Sequence, residues 1–125
     1  MTWLLGLFLA AHGLIHASFV SPRPPENGGP QWPFNLDASW LLGSGVRPLG
    51  LLLVAVSVIA FLLAGASTLG ILVPPAWWGG LVVAGSVAGL LLLALFFHPW
   101  LSLGILLNAA LLLAVLQFGW KLVPA

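Results

Sequence analysis

Four stretches of this chain, 3–20, 47–69, 76–97 and 99–120, are each close to the roughly 20 apolar residues that a helix needs to cross a hydrocarbon core of about 30 Å. No other feature restricts the fold as severely. Backbone N–H and C=O groups surrounded by hydrocarbon must be satisfied within a helix or around a closed barrel, and four strands cannot close a barrel. The stretches therefore predict four helices. The fold class that follows is all-α: a polytopic integral membrane protein built as an up-down-up-down four-helix transmembrane bundle in a single domain.

Composition makes the soluble alternative untenable. The chain is 62% hydrophobic and 4% charged, against roughly 45–50% and about 25% in soluble domains. Three basic and two acidic residues cannot dress a water-facing surface. A net charge of +1 also excludes a nucleic-acid surface, which needs clustered Lys and Arg to displace counterions from phosphates. The absence of cysteine removes disulfides, thiolate metal sites, iron–sulfur ligation and cysteine nucleophiles together. No Lys or Arg precedes the first apolar run, so it reads as a retained helix and not as a secretory signal.

Tryptophan collects at membrane interfaces, and its placement fits this topology. Trp3, Trp77, Trp78 and Trp120 fall at one face; Trp32, Trp40 and Trp100 fall at the other. An even number of spans puts both termini on the same side as the Gly70–Pro75 turn. The basic residues near the two faces almost balance, with Arg23 and Arg47 opposite Lys121 and the α-amine, so the positive-inside rule sets no orientation. Gly85 and Gly89 form a GxxxG pair of the kind that lets membrane helices approach closely.

The connections are unequal. Residues 21–46 are Pro-rich, hold both carboxylates, Glu26 and Asp37, and exceed an ordinary connector in length, which suggests a lid, cap or docking surface. The prolines predict an extended first half. Asn35 or Asp37 is placed to cap a short interfacial helix near 37–42, with Trp40 at headgroup level. By contrast, Phe97-His98-Pro99-Trp100 leaves almost nothing between two spans, and Pro99 suits a first helical position.

Polar residues inside such spans are costly and usually face a bundle interior or cavity. His12 and His16, one turn apart, share a helix face. At 1.5 Å per residue His12 lies about 14 Å from its interface and His16 about 20 Å. Ser57 and Ser86 lie about 15 Å into their own spans, and Asn108 is near the midplane. Each helix thus brings one polar residue, His12, Ser57, Ser86 or Asn108, to a common depth. His98 belongs near the loop side with His16. The expectation is a polar core that begins at His12 and Asn108 and rises to a loop-side cluster of His16, His98 and Glu26 or Asp37.

Several chemistries fit that pattern. His12, His16 and His98 supply three nitrogens for a metal ion, with Glu26 or Asp37 or water completing the set, although no Glu follows the first His as in zinc hydrolases. Haem ligation by His12 or His16 opposite His98 is a second option. A lipophilic ligand such as a quinone, lipid or pigment, oriented by a few polar groups in a greasy pocket, is a third. A proton path through His12 and His16 is a fourth. If the His–Asn contacts are purely structural, each is worth on the order of 1 kcal/mol.

The pattern Ala-His-Gly-Leu-Ile-His (11–16), Leu-Asp-Ala-Ser-Trp-Leu-Leu (36–42), Arg-Pro-Leu-Gly (47–50) and His-Pro-Trp (98–100) resembles a group of small four-span bacterial membrane proteins over nearly the whole chain. In layout it is also loosely similar to the DoxX-like four-span proteins, some of which accompany quinone-linked oxidation. The resemblance implies a bacterial cytoplasmic-membrane location and transfers no catalytic residue. Two functional classes remain: a binding or accessory membrane protein, serving a lipophilic ligand, a larger complex or a homo-oligomer, and a membrane-embedded metal- or haem-dependent oxidoreductase. The spans lack acidic, basic and cysteine chemistry, which favours the first and leans away from an enzyme.

Overall fold

A computed structural model describes residues 2–21, 33–117 and 119–120. It is helical almost throughout. The helices are α1 (Thr2–His16), prolonged by a 3-10 turn over Ala17–Val20; α2 (Arg47–Thr68); α3 (Trp78–Leu95), entered through a 3-10 turn at Pro75–Trp77; and α4 (Ser102–Leu116), entered through Pro99–Leu101. With these turns, all four are long and apolar enough to cross a membrane. Glu26, Trp32 and the Pro-rich first half of the loop lie outside the described residues, as does Lys121.

Local chemistry explains the boundaries. Pro48, in the first turn of α2, lacks an N–H where no helical partner exists for one. At the other end of α2, Gly70 takes φ 73° and its N–H donates to the Ser67 carbonyl, while the Ile71 N–H donates to that of Ala66. This is the Schellman closure, whose left-handed position favours a residue without a Cβ. α4 stops at Leu116, short of the expected Trp120: Gly119 has φ 66° and the Trp120 N–H turns back to the Ala114 carbonyl.

Residues 37–42 do not form the expected helix. Ala38–Ser39 (β1) pairs antiparallel with Gly43–Ser44 (β2) in a miniature hairpin, Ala38 opposite Ser44 and Ser39 opposite Gly43. Gly43, within the return strand, and Gly45 just after it both take positive φ, and the Asp37 N–H donates to Asn35 Oδ1 at 2.9 Å in a turn instead of opening a helix. The hairpin closes the end of α3, whose last carbonyls have no helical donors. Ser39 Oγ donates to the Leu95 carbonyl and Trp40 Nε1 to that of Ala94, both at 2.6 Å. Asp37 lies 3.5 Å from Arg47 at the exposed surface, where an ion pair contributes little.

In the bundle α1 packs on α2, α2 on α3 and α3 on α4, while α1 and α4 make no extended contact. Two apolar clusters fill the interior. One gathers Phe19, Leu36, Leu53, Leu92, Phe96 and Leu101, so the loop segment around Leu36 roofs this end of the bundle. The other gathers Leu9, Phe61, Ala64, Trp78, Val82 and Leu111. Trp78 departs from the interfacial rule: it is fully buried, donates its indole N–H to Thr68 Oγ1 at 2.9 Å, and meets Trp120 edge to face. Along each chain segment, His12, Ser57, Ser86 and Asn108 fall between contributors to the two clusters.

Candidate ligand site between the first and fourth helices

The site begins with glycine. Phe61 of α2 lies against α1 at Gly13 and against α3 at Gly85; a Cβ at either position would come within 2.6 Å or 2.9 Å of it. Held there, the ring meets His12 edge to face at 4.8 Å and lies nearly parallel to His16 at 5.9 Å. The other GxxxG residue, Gly89, makes a second notch. A Cβ on it would stand 2.7 Å from Asn108 Nδ2 and 2.8 Å from His16 Nε2. The small residues of α3 thus seat side chains from the three other helices.

Three side chains form a closed hydrogen-bonded circuit. His16 Nδ1 lies 2.9 Å from the His12 carbonyl, His12 Nε2 3.0 Å from Asn108 Oδ1, and Asn108 Nδ2 3.2 Å from His16 Nε2. A carbonyl oxygen can only accept, so His16 donates from Nδ1 and, as an uncharged ring, accepts at Nε2. The Asn108 amide then donates to His16 and accepts from the Nε2–H of His12. One backbone carbonyl fixes every direction in the circuit. His12, His16 and Asn108 are all buried, so the satisfied circuit avoids the penalty of unpaired polar groups.

The remaining candidates lie apart from it. His98 caps the turn into α4, its Nδ1 accepting the Trp100 N–H at 3.1 Å, and its ring meets that of Trp100 edge to face. Ser57 and Ser86 are fully buried, and neither hydroxyl has a hydrogen-bond partner among the described residues. Asp37 pairs with Arg47. Among the described residues no three His, Asp or Glu side chains gather as metal ligands. Among the described residues the three histidines expected as a metal set are not brought together: His98 caps the turn at Pro99, while His16 has both ring nitrogens hydrogen-bonded within the bundle. The circuit joins α1 to α4 through Asn108, and Ser57 and Ser86 take no part in it.

Beside the circuit, where α1 and α4 part, lies a cavity of about 180 Å³. His12 and His16 supply its polar wall; Ile15, Phe19, Phe34, Leu101, Leu103 and Leu107 are among its apolar walls. Its rim is open on the outer face of the bundle, where Ile15, Trp100 and Leu103 are exposed. Phe19 and Phe34, edge to face at 5.4 Å, separate it from a wider bowl on the loop side that contains Asp37 and Arg47. The sequence carried no signal for this cavity, because its lining is ordinary Leu, Ile and Phe and depends on how each helix is rotated. Compared with known proteins, the chain matches no family model, no curated protein and no solved structure.

Proposed function

We propose that this protein crosses the bilayer four times, up-down-up-down, and binds a lipophilic molecule in the cavity between α1 and α4, as a binding or accessory component and not as an enzyme. The cavity carries the reading: apolar walls around one polar wall, set at the depth of His12 and opening sideways through an apolar rim. Such a pocket suits a ligand that arrives from the hydrocarbon and is oriented by a few polar contacts. The exposed belt of Leu52, Ile59, Leu91, Leu103, Leu106 and Leu113 is far more apolar than a soluble monomer presents, and supports insertion. A bacterial cytoplasmic membrane is the location that the resemblance to small four-span bacterial proteins adds to this reading.

Two experiments test it. The chain has no cysteine, so Thr2→Cys, Leu42→Cys and Leu72→Cys can be labelled singly in sealed vesicles with a membrane-impermeant maleimide. The four-span topology requires positions 2 and 72 to react from one side and 42 from the other; a shared side for all three excludes it. Organic extraction of protein purified in its native lipid should yield a lipophile in near-stoichiometric amount. Leu107→Trp, which fills the cavity, should lose it. Equal recovery from both proteins would refute the assignment.

A further inference from the structure

The hydrogen-bond circuit determines what the cavity can offer a ligand. His16 uses Nδ1 on the His12 carbonyl and Nε2 on Asn108, and His12 uses its Nε2–H on Asn108. One ring nitrogen of the pair is left, His12 Nδ1. In the tautomer that the circuit imposes it bears a lone pair and no hydrogen. It makes no hydrogen bond among the described residues, and the only polar side-chain atoms there that are both sealed off and unpartnered belong to Ser57 and Ser86. His12 Nδ1 is therefore reachable, on a residue that lines the cavity. The histidine wall presents an acceptor.

Charge and size narrow the ligand further. Asp37 and Arg47, the charged side chains among the described residues, are outside the cavity lining, and the two histidines in it are uncharged in this arrangement. An ionised head would be left without a counter-charge in an apolar site, at a heavy cost. A cavity of about 180 Å³ is close to the roughly 150 Å³ that accommodates benzene in a protein interior. Phe19, Phe34 and Trp100 provide aromatic walls, and the exposed rim at Ile15 and Leu103 leaves an apolar tail free to run outward along the bundle.

We infer that the ligand is an uncharged single-ring lipophile bearing a hydroxyl, an alkylphenol or hydroquinone in chemical class, whose O–H donates to His12 Nδ1 while its tail leaves between α1 and α4. This rests on the proposed lipophile-binding role and adds the head-group chemistry to it. A carbonyl-only head, such as an ester or an oxidised quinone, would set an acceptor against an acceptor.

The test uses the full chain in phosphatidylcholine nanodiscs, labelled with 15N at histidine, with 4-octylphenol and its methyl ether 4-octylanisole as matched probes. They share ring and tail and differ in the donor. The phenol should bind with a Kd lower by about threefold to tenfold, the range that one net hydrogen bond supplies. It should also shift the His12 Nδ1 resonance and leave His98 unmoved. Equal affinity for the ether, with cavity resonances perturbed by both, overturns the hydroxyl assignment and leaves the lipophile site standing. Tighter binding of decanoate overturns the uncharged head. If none of the three probes perturbs His12 or His16, the cavity is not a lipophile site and both readings fall.

Discussion

Gly89→Ala is the sharpest probe of how the site is built. An added Cβ would lie 2.7 Å from Asn108 Nδ2, 2.8 Å from its Oδ1 and 2.8 Å from His16 Nε2. Non-bonded atoms do not settle at such separations, so the amide and the ring must retreat by several tenths of an ångström. They have little room to do so, because the bonds that hold them are already 3.0 and 3.2 Å long, and further stretching brings both toward the limit at which a contact ceases to be a hydrogen bond. Overpacking costs about 1–3 kcal/mol, and two interhelical hydrogen bonds in a membrane protein add about 0.6 kcal/mol each. The better helix propensity of Ala returns up to about 1 kcal/mol. The net expectation is a loss of about 1–3 kcal/mol.

Gly80→Ala is the control, since a Cβ there meets nothing within 4 Å and should leave stability unchanged or slightly raised. The assay is reversible unfolding in mixed micelles titrated with dodecyl sulfate, followed by far-ultraviolet circular dichroism. In a double-mutant cycle with Asn108→Ala, part of the Gly89→Ala cost should disappear, because the amide that is struck has gone. If Gly89→Ala matches Gly80→Ala in stability, the notch on α3 does not seat the circuit and the geometry argued for the site is wrong.

Asn108→Leu keeps the volume but strands the His12 N–H and the His16 acceptor; the expected loss is about 1–2 kcal/mol in the same titration, and an unchanged midpoint would mean that the circuit contributes nothing. Leu72 is almost wholly exposed and holds φ 61°, a conformation that costs a residue with a Cβ roughly 1–2 kcal/mol. Leu72→Gly should therefore raise the midpoint, and a fall would contradict the strain. Ser39→Ala removes the donor to Leu95 and the acceptor for the N–H groups of Leu41 and Leu42. Amide exchange at 41 and 42 should quicken about tenfold, as loss of roughly 1.4 kcal/mol of local stability implies, while that in α2 stays as it was.

What the sequence discloses about this protein divides along the helix axis. Position along a span follows from a fixed rise of 1.5 Å per residue, so counting alone sets His12 and Asn108 at one depth, and their side chains bond across the α1–α4 gap. Rotation about the axis is different. In a water-soluble bundle a polar stripe marks the outer face, but here outward-facing Leu52 and Leu103 and inward-facing Leu53 and Leu92 are the same residue type, so neither the cavity nor the isolation of Ser57 and Ser86 could be read. His98 shows the same limit at a turn. Depth places it on the loop side, yet the Pro99 that follows makes it a helix cap, and the backbone of Trp100 takes its Nδ1. The hairpin at 38–44 was legible in principle, because Gly43 and Gly45 bracket its return strand. The Asn-x-Asp capping pattern upstream, read as a helix start, instead closes a turn. Directionality was the feature furthest from view. Only when His16 Nδ1 is seen against a backbone carbonyl does the pair become a fixed circuit with a single acceptor left over, and it is that leftover lone pair, more than the histidines as such, that gives the cavity a chemical preference.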